Sequence, residues 1–216
     1  MEQMQVQIRQ QNWEVVTGCE RLTHGCDSCP SYHDYISNDW SYHPKFHWAR
    51  VDAPLENPLP TRYTVAIGSD LFHEAVTEDQ IGKVFEVMNR ASRHYFEILT
   101  KRAERATYIS KALNLNWSNN ISLGYSIEDA RSKWRIDYLR ETGAKIKCIS
   151  MVPLLGDMGE LDLSGIALVG VAHETWGLKR PCKEEWIEGV KRQCNEQGVI
   201  FTMDEIDIFH TFQGES

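Results

Sequence analysis

The sequence predicts an α/β fold, a partial (β/α) barrel with about six to seven mostly parallel strands. Three observations predict it. Short runs rich in β-branched and aromatic residues alternate with segments whose apolar residues recur at helical spacing. Polar and charged residues collect just past the strand-like runs, where parallel-strand folds carry their chemistry. The length of 216 residues and a 42% hydrophobic content suit one core without disulfide staples, but fall short of a full eight-stranded barrel. The chain reads as a single domain, 1–216. It comprises an N-terminal extension (1–12), a cysteine loop with an irregular lid (13–60), a βα core (61–203) and a C-terminal tail (204–216).

The elements follow in order. WEVV at 13–16 reads as a first strand, and the stretch 44–60, with four of the seven prolines, as an irregular connection. YTVAIG at 63–68 is the next strand. A helix over 77–91 follows, because Ile81, Val84, Phe85 and Met88 share one face. The unit recurs as YFEIL (95–99) before a helix at 102–113, and as ISLGYS (121–126) before a helix at 127–141 carrying Trp134, Tyr138 and Leu139. Strands at 146–151 (IKCISM) and 166–172 (IALVGVA), a helix at 183–197 and a strand at 199–203 complete the pattern. Such alternation implies right-handed βαβ units.

No run approaches the roughly 18 apolar residues of a membrane span, and the N-terminus has no apolar leader-like core, so a cytoplasmic protein without membrane contact is expected. The net charge of −8 argues against bulk electrostatic binding to nucleic acid, while leaving room for a local basic patch. No Ser-His-Asp order and no Walker-type loop supports a hydrolase.

Cys19, Cys26 and Cys29 follow the first strand with C-x6-C-x2-C spacing, while Cys148, Cys182 and Cys194 are scattered through strand or helix surroundings. In a reducing compartment, clustered thiols favour a metal or cluster site over disulfides. Three thiolates can bind three irons of a [4Fe-4S] cluster and leave the fourth open. Gly18 and Gly25, each just before a cysteine, permit the tight backbone that such wrapping needs. The same spacing also allows a Cys3His zinc site, with His24 or His33 as fourth ligand, in a non-catalytic zinc-stabilised binding module.

Several motifs in order extend the comparison: VTGCERLTHGCDSC (16–29), GSDLFHEAVTEDQIGKVFEVM (68–88), FEILTKRAERATYI (96–109), ISLGYSIED (121–129), ISMVPLLG (149–156) and IALVG (166–170). In these the chain resembles a family of phage-encoded and bacterial proteins of unknown function related to radical S-adenosylmethionine (SAM) enzymes, with spore photoproduct lyase a distant relative. The resemblance implies a radical SAM-like barrel and a [4Fe-4S] cluster on Cys19, Cys26 and Cys29. It also implies SAM bound across the strand ends, an electron donor such as a flavodoxin or ferredoxin, and, for a phage protein, the host cytoplasm. The chain departs from the family pattern at Pro30, where an aromatic is common, at Val152, where a Glu is common, and at 171–176 (VAHETW).

Under that resemblance the strand ends acquire roles. Asp70 is expected to pair with the amino group of SAM and Ser69 to accept a hydrogen bond from it; turn capping is the structural alternative. Lys101 and Arg102 are placed to hold a carboxylate or phosphate, Arg being the better bidentate partner, with a solvated pair at a helix start as the structural alternative. Ser126 and Glu128 open a helix, where a hydroxyl and an acid complement the dipole, and Glu128 is also expected at a ribose hydroxyl of SAM. His173 and Glu174 form a candidate proton-transfer pair, and Trp176 a stacking surface for a base, with a merely structural His as the alternative. The aromatic and His-rich stretch 32–48 is expected to form a lid or nucleobase platform, with packing over the open barrel as the simpler structural alternative. The implied activity is reductive SAM cleavage to a 5′-deoxyadenosyl radical. The expected substrate is a nucleotide or nucleic-acid base, and the expected reaction base modification or rearrangement, for example of a substituted thymine in phage DNA.

Overall fold

A computed structural model describes residues 8–37 and 42–203. Most of the proposed extension (1–7), the C-terminal tail (204–216) and part of the expected lid (38–41) lie outside the described residues. The elements in chain order are β1 (Arg9–Trp13), β2 (Val16–Thr17), α1 (Pro30–Ser37), β3 (Lys45–Phe46), α2 (Ala53–Glu56), β4 (Thr61–Val65), α3 (Glu78–Arg90) and β5 (Tyr95–Thr100). They continue with α4 (Ala103–Ala112), β6 (Ile121–Ser126), α5 (Arg135–Arg140), β7 (Ile146–Met151), β8 (Leu168–Val171), α6 (Glu184–Gln197) and β9 (Ile200–Met203). Seven strands form one sheet in the order β1-β4-β5-β6-β7-β8-β9, every neighbouring pair parallel. The sheet is curled and open, a half-barrel.

The strand expected at 13–16 is corrected. The edge strand β1 lies earlier, and among its RQQNW side chains only Trp13 is buried. Its backbone pairs with β4 along one edge, so no alternating apolar pattern is needed to hold it. Val15 and Val16 still enter the core, but beyond a turn, and Val16–Thr17 pairs antiparallel with β3. The stretch 44–60 is likewise more structured than expected, holding β3, a 3₁₀ turn (Trp48–Arg50) and α2.

The helix expected at 127–141 is also shorter. Ile127 N–H bonds to Ser150 C=O, and the Asp129 carboxylate accepts from Arg131 N–H, so the chain makes a 3₁₀ turn before α5 starts. The strand expected at 63–68 instead covers Thr61–Val65, because Ala66 adopts φ +53° and turns the chain. By contrast, α3 closely matches its prediction: Ile81, Val84, Phe85 and Met88 are buried, and Thr77 and Gln80 form a reciprocal capping box.

One face of the sheet packs on the helices. Phe96, Ile98, Leu123 and Tyr125 are fully buried there, and the Tyr125 hydroxyl meets Thr107 of α4 at 3.0 Å. Trp13, Tyr63 and Phe96 form an aromatic cluster, with the Tyr63 and Phe96 rings stacked at 5.6 Å. This packing fixes the strands, and their C-terminal ends then deliver side chains to a common rim.

Candidate functional site

The cysteine loop follows β2, which pairs with β3 apart from the main sheet, and lies along that rim. Gly18 adopts φ +76°, and a Cβ there would lie 2.3 Å from His43 C=O, so glycine is required by both conformation and space. Cys19 N–H then bonds to Tyr42 C=O. A 3₁₀ turn at His24–Cys26 brings Cys29 N–H to Cys26 C=O, and α1 begins at Pro30. Proline at a first helical position loses no helical hydrogen bond, which accounts for Pro30 beside the third cysteine.

Glu128 anchors the loop from below. Its side chain is 1% exposed; Oε1 accepts from Thr23 Oγ1 at 2.8 Å and lies 3.5 Å from Lys101 Nζ, while Oε2 accepts from Arg135 Nη1 at 3.2 Å. A Cβ on Gly25 would fall 2.6 Å from this carboxylate, so the loop seats directly on it. Burial raises the Glu128 carboxyl, but Lys101, Thr23 and Arg135 outweigh burial and hold it below the usual carboxylate range. From the other side, Arg180 Nη1 donates to His24 C=O at 2.9 Å, and Leu178 N–H donates to Ser28 Oγ at 2.9 Å.

All three loop thiols are free, half-buried and open into one cavity of about 480 Å³. That volume falls within the ~300–1,000 Å³ of small-molecule sites. Arg102 Nη1 donates toward Cys19 Sγ at 3.7 Å, Cys26 Sγ lies 3.9 Å from Thr23 Oγ1, and Cys29 Sγ lies 4.0 Å from Tyr42 Oη. The Tyr42 phenol is pushed far up by burial and by the fields of Cys29, Cys19 and Cys26, so one hydroxyl senses all three sulfurs. Burial also pushes the Cys19 thiol up, with Arg102 pulling against it. Cys148, Cys182 and Cys194 line no part of this cavity. Burial raises the thiols of Cys148 and, to about 11, Cys194.

The two histidines suited to a Cys3His site are engaged elsewhere. His24 contacts Asp129 Oδ2 at 3.2 Å and Arg131, while His33 Nε2 contacts Asp27 C=O at 3.3 Å and its ring lies tilted against Trp176, centroids 5.0 Å apart. Among the described residues no group of three or more His, Cys, Asp or Glu side chains is placed to hold a metal ion. Three thiols, with no fourth thiol among the described residues, line the cavity, and Glu20, Asp70, His173 and Glu174 line it as well. Three thiols suit a cluster bound through three irons with the fourth left open.

The strand-end residues separate into two groups. Ser69, Asp70, Lys101, Ser126, His173, Glu174 and Trp176 line the cavity with the cysteines; Glu128 does not. Ser69 Oγ donates to Val16 C=O at 2.8 Å, which leaves its lone pairs able to accept. Asp70 is buried and already committed: it accepts from Phe72 N–H, Thr100 Oγ1 and Arg102 Nη1, at 2.9, 2.8 and 3.1 Å. Glu174 is likewise bound to Arg180, whose hydrogen bonds bring its carboxyl down to about 2, so its charge is engaged there rather than with His173. Trp176 is 44% exposed at the mouth, and Tyr32 and Tyr42 from the expected lid stretch line the wall.

Arg102, expected beside Lys101 as an anion-holding cation, and Tyr42, from the expected lid stretch, line the same cavity, as does Ser150, which sequence reasoning did not single out. The alignment of strand ends would have found Ser150, at the end of β7 beside Ser126. Val152, at the position where the resembled family commonly carries Glu, gives the wall an apolar surface together with Pro153, Leu99 and Ile67.

No curated protein and no solved structure matches the chain. A family described as "Protein of unknown function (DUF5131)" matches residues 3–212, nearly the whole sequence, and the chain belongs to that family.

Proposed function

We propose that this chain is a radical SAM enzyme in which Cys19, Cys26 and Cys29 each ligate one iron of a [4Fe-4S] cluster and SAM binds in the adjoining cavity. The observation that carries this reading is the opening of three thiols from one loop into a single cavity at the C-terminal ends of a parallel half-barrel. Cys19, Cys26 and Cys29 would hold the cluster, which when bound and reduced would supply the electron for reductive cleavage of the sulfonium C–S bond of SAM, the source of a 5′-deoxyadenosyl radical able to abstract hydrogen from substrate.

The chain's own residues hold and shield the reactants. Glu128, through Thr23 and the close approach of Gly25, sets the height of the cysteine loop above the sheet. Ser69 offers a hydroxyl able to accept from an amino group, and Lys101 Nζ, tethered to Glu128, offers a cation to a carboxylate. Ile67, Leu99, Val152 and Pro153 form an apolar wall that excludes water from reactive species. Asp70 acts through Arg102 and the end of β5 rather than by direct contact.

The substrate in this proposal is a nucleotide or a base within nucleic acid, modified or rearranged at the ring, with a flavodoxin or ferredoxin as electron donor. Trp176 and Tyr32 supply aromatic faces at the cavity, and His173 supplies ring nitrogens beside them. With a net charge of −8, such binding is local and salt-sensitive. The test is anaerobic reconstitution with iron and sulfide, followed by SAM and dithionite. The expected result is a brown protein that forms 5′-deoxyadenosine. A colourless protein that binds one zinc and forms none would replace this reading with a zinc-stabilised binding module.

A further inference from the structure

Arg102 stands immediately before α4, at a helix N-terminus where the backbone dipole disfavours a cation. It is nonetheless buried, with 3% of its side chain exposed, and two carboxylates hold it: Asp70 Oδ2 at 3.1 Å from Nη1, and Glu74 Oε2 at 2.8 Å from Nε. A structural ion pair would need nothing more. Two features are left over. Nη1 also lies 3.7 Å from Cys19 Sγ in hydrogen-bonding geometry, and the buried Nη2 has no partner among the described residues. Both Arg102 and Cys19 line the cavity. Buried guanidinium donors are rarely left unsatisfied, so a spare donor beside a thiol calls for an acceptor supplied from that cavity.

The three thiols are not equivalent in this respect. Cys26 and Cys29 meet neutral hydroxyls, of Thr23 and Tyr42, whereas Cys19 meets a permanent cation. The other cations on the cavity wall are directed to carboxylates. Lys101 lies 3.5 Å from Glu128, and Arg21 lies 3.9 Å from Asp27 with its guanidinium over the Tyr32 ring. Arg102 is thus the guanidinium poised against the sulfur ligands.

We propose that Arg102 is a positioning residue for the cluster and its built-in counter-charge: its N–H···S bond to Cys19 stabilises the reduced state and raises the cluster's reduction potential. This rests on the cluster reading given above. Reduction adds negative charge to the metal–thiolate unit, and a cation hydrogen-bonded to one ligand sulfur stabilises that added charge more than the oxidised state. Asp70 works in the opposite sense, because its carboxylate partly neutralises the same guanidinium. The two residues form a pair whose removal shifts the potential in opposite directions, a signature that simple loosening of the fold does not produce.

The experiment is an EPR-monitored redox titration of the anaerobically reconstituted full chain, without SAM, with iron and sulfide content measured for each sample. Arg102→Gln is expected to shift the midpoint negative by at least about 59 mV, the one-electron equivalent of a tenfold change in equilibrium constant. Asp70→Asn is expected to shift it positive, and Arg102→Lys, which keeps the charge, to fall between Arg102→Gln and the unaltered protein. An unaltered midpoint in a fully loaded Arg102→Gln protein would overturn the proposal. Should that variant fail to fold or load, Asp70→Asn decides: a positive shift supports the proposal, and an unchanged or negative shift overturns it. Failure of the unaltered chain to bind any cluster would overturn the functional reading itself, and this inference with it.

Discussion

Two buried histidines at opposite ends of the half-barrel show how differently its two faces are finished. His94, at the floor before β5, is fully buried and both ring nitrogens are occupied: Nδ1 accepts from Thr61 N–H at 3.1 Å, and Nε2 donates to Pro54 C=O at 2.8 Å. Asn120 closes the same floor by donating to the Met88 and His94 carbonyls. His73, near the rim, is almost equally buried, yet only Nδ1 is hydrogen-bonded, to Ala75 N–H, while Nε2 has no hydrogen-bond partner among the described residues and lies 4.0 Å from the Glu20 carboxylate. The neighbouring Arg102 also keeps an unpartnered nitrogen, and three free thiols face a cavity. The floor is closed for stability, whereas the rim carries polar capacity that the protein alone does not use.

The contrast is testable by substitution. The largest expected effect is at the clamp that joins rim to sheet: Glu128→Ala leaves Arg135 buried without its carboxylate and the loop without its seat. It is expected to cost about 3–5 kcal/mol in urea denaturation of the metal-free chain. A loss below about 1 kcal/mol would show that the loop is held by other contacts. Next, His94→Ala strands Thr61 N–H and Pro54 C=O in the floor and is expected to cost about 2–4 kcal/mol, while leaving iron incorporation unchanged. Loss of iron from a folded His94→Ala protein would break the separation of the two faces.

The floor also has a pH signature. Burial holds His94 below the ordinary histidine value of about 6.5, so it folds neutral and its contribution is full above that pH. As pH falls from 6.5 toward the lower folded value, the unfolded chain takes up the proton first, and stability declines. His47 and His73, also held low mainly by burial, add slope of the same sign, so His94→Gln is expected to flatten the decline rather than abolish it. Denaturation midpoints between pH 5 and 7.5 measure this; parallel profiles for the two proteins would contradict it. The smallest expected effect on stability is at the rim, where Cys26→Ala should change unfolding by less than about 1 kcal/mol while abolishing cluster absorbance. Cys194→Ala, on the buried face of α6, should retain the cluster, and direct ligand loss there would refute the assignment of the thiols.

Much of the fold was legible because its signals are local. The buried stripe of α3 and its Thr77–Gln80 capping box can be read from spacing and residue type alone. The edge strand β1 was not legible, since it is held by backbone pairing on one side while its polar side chains face solvent. The late start of the helix expected after Ser126 depends on Asp129 capping Arg131 and on Ile127 bonding across to Ser150, which no periodicity reports. At the site, the cysteine loop and most strand-end residues were visible as residue types in the right places. Which polar groups satisfy one another was not. Asp70 with Arg102, Glu174 with Arg180 and Glu128 beneath Thr23 are partnerships across 32, 6 and 105 residues, and they decide which groups still face the cavity.

The central claim is that three thiols leave one iron of a cluster open to SAM, and Mössbauer spectroscopy of the chain reconstituted with isotopically enriched iron tests it most directly. The account predicts that adding SAM makes one of the cluster's four irons distinct from the other three, and that Cys26→Ala yields no such spectrum. Iron sites that do not respond to SAM, or a loop that takes up zinc in place of iron, would contradict it.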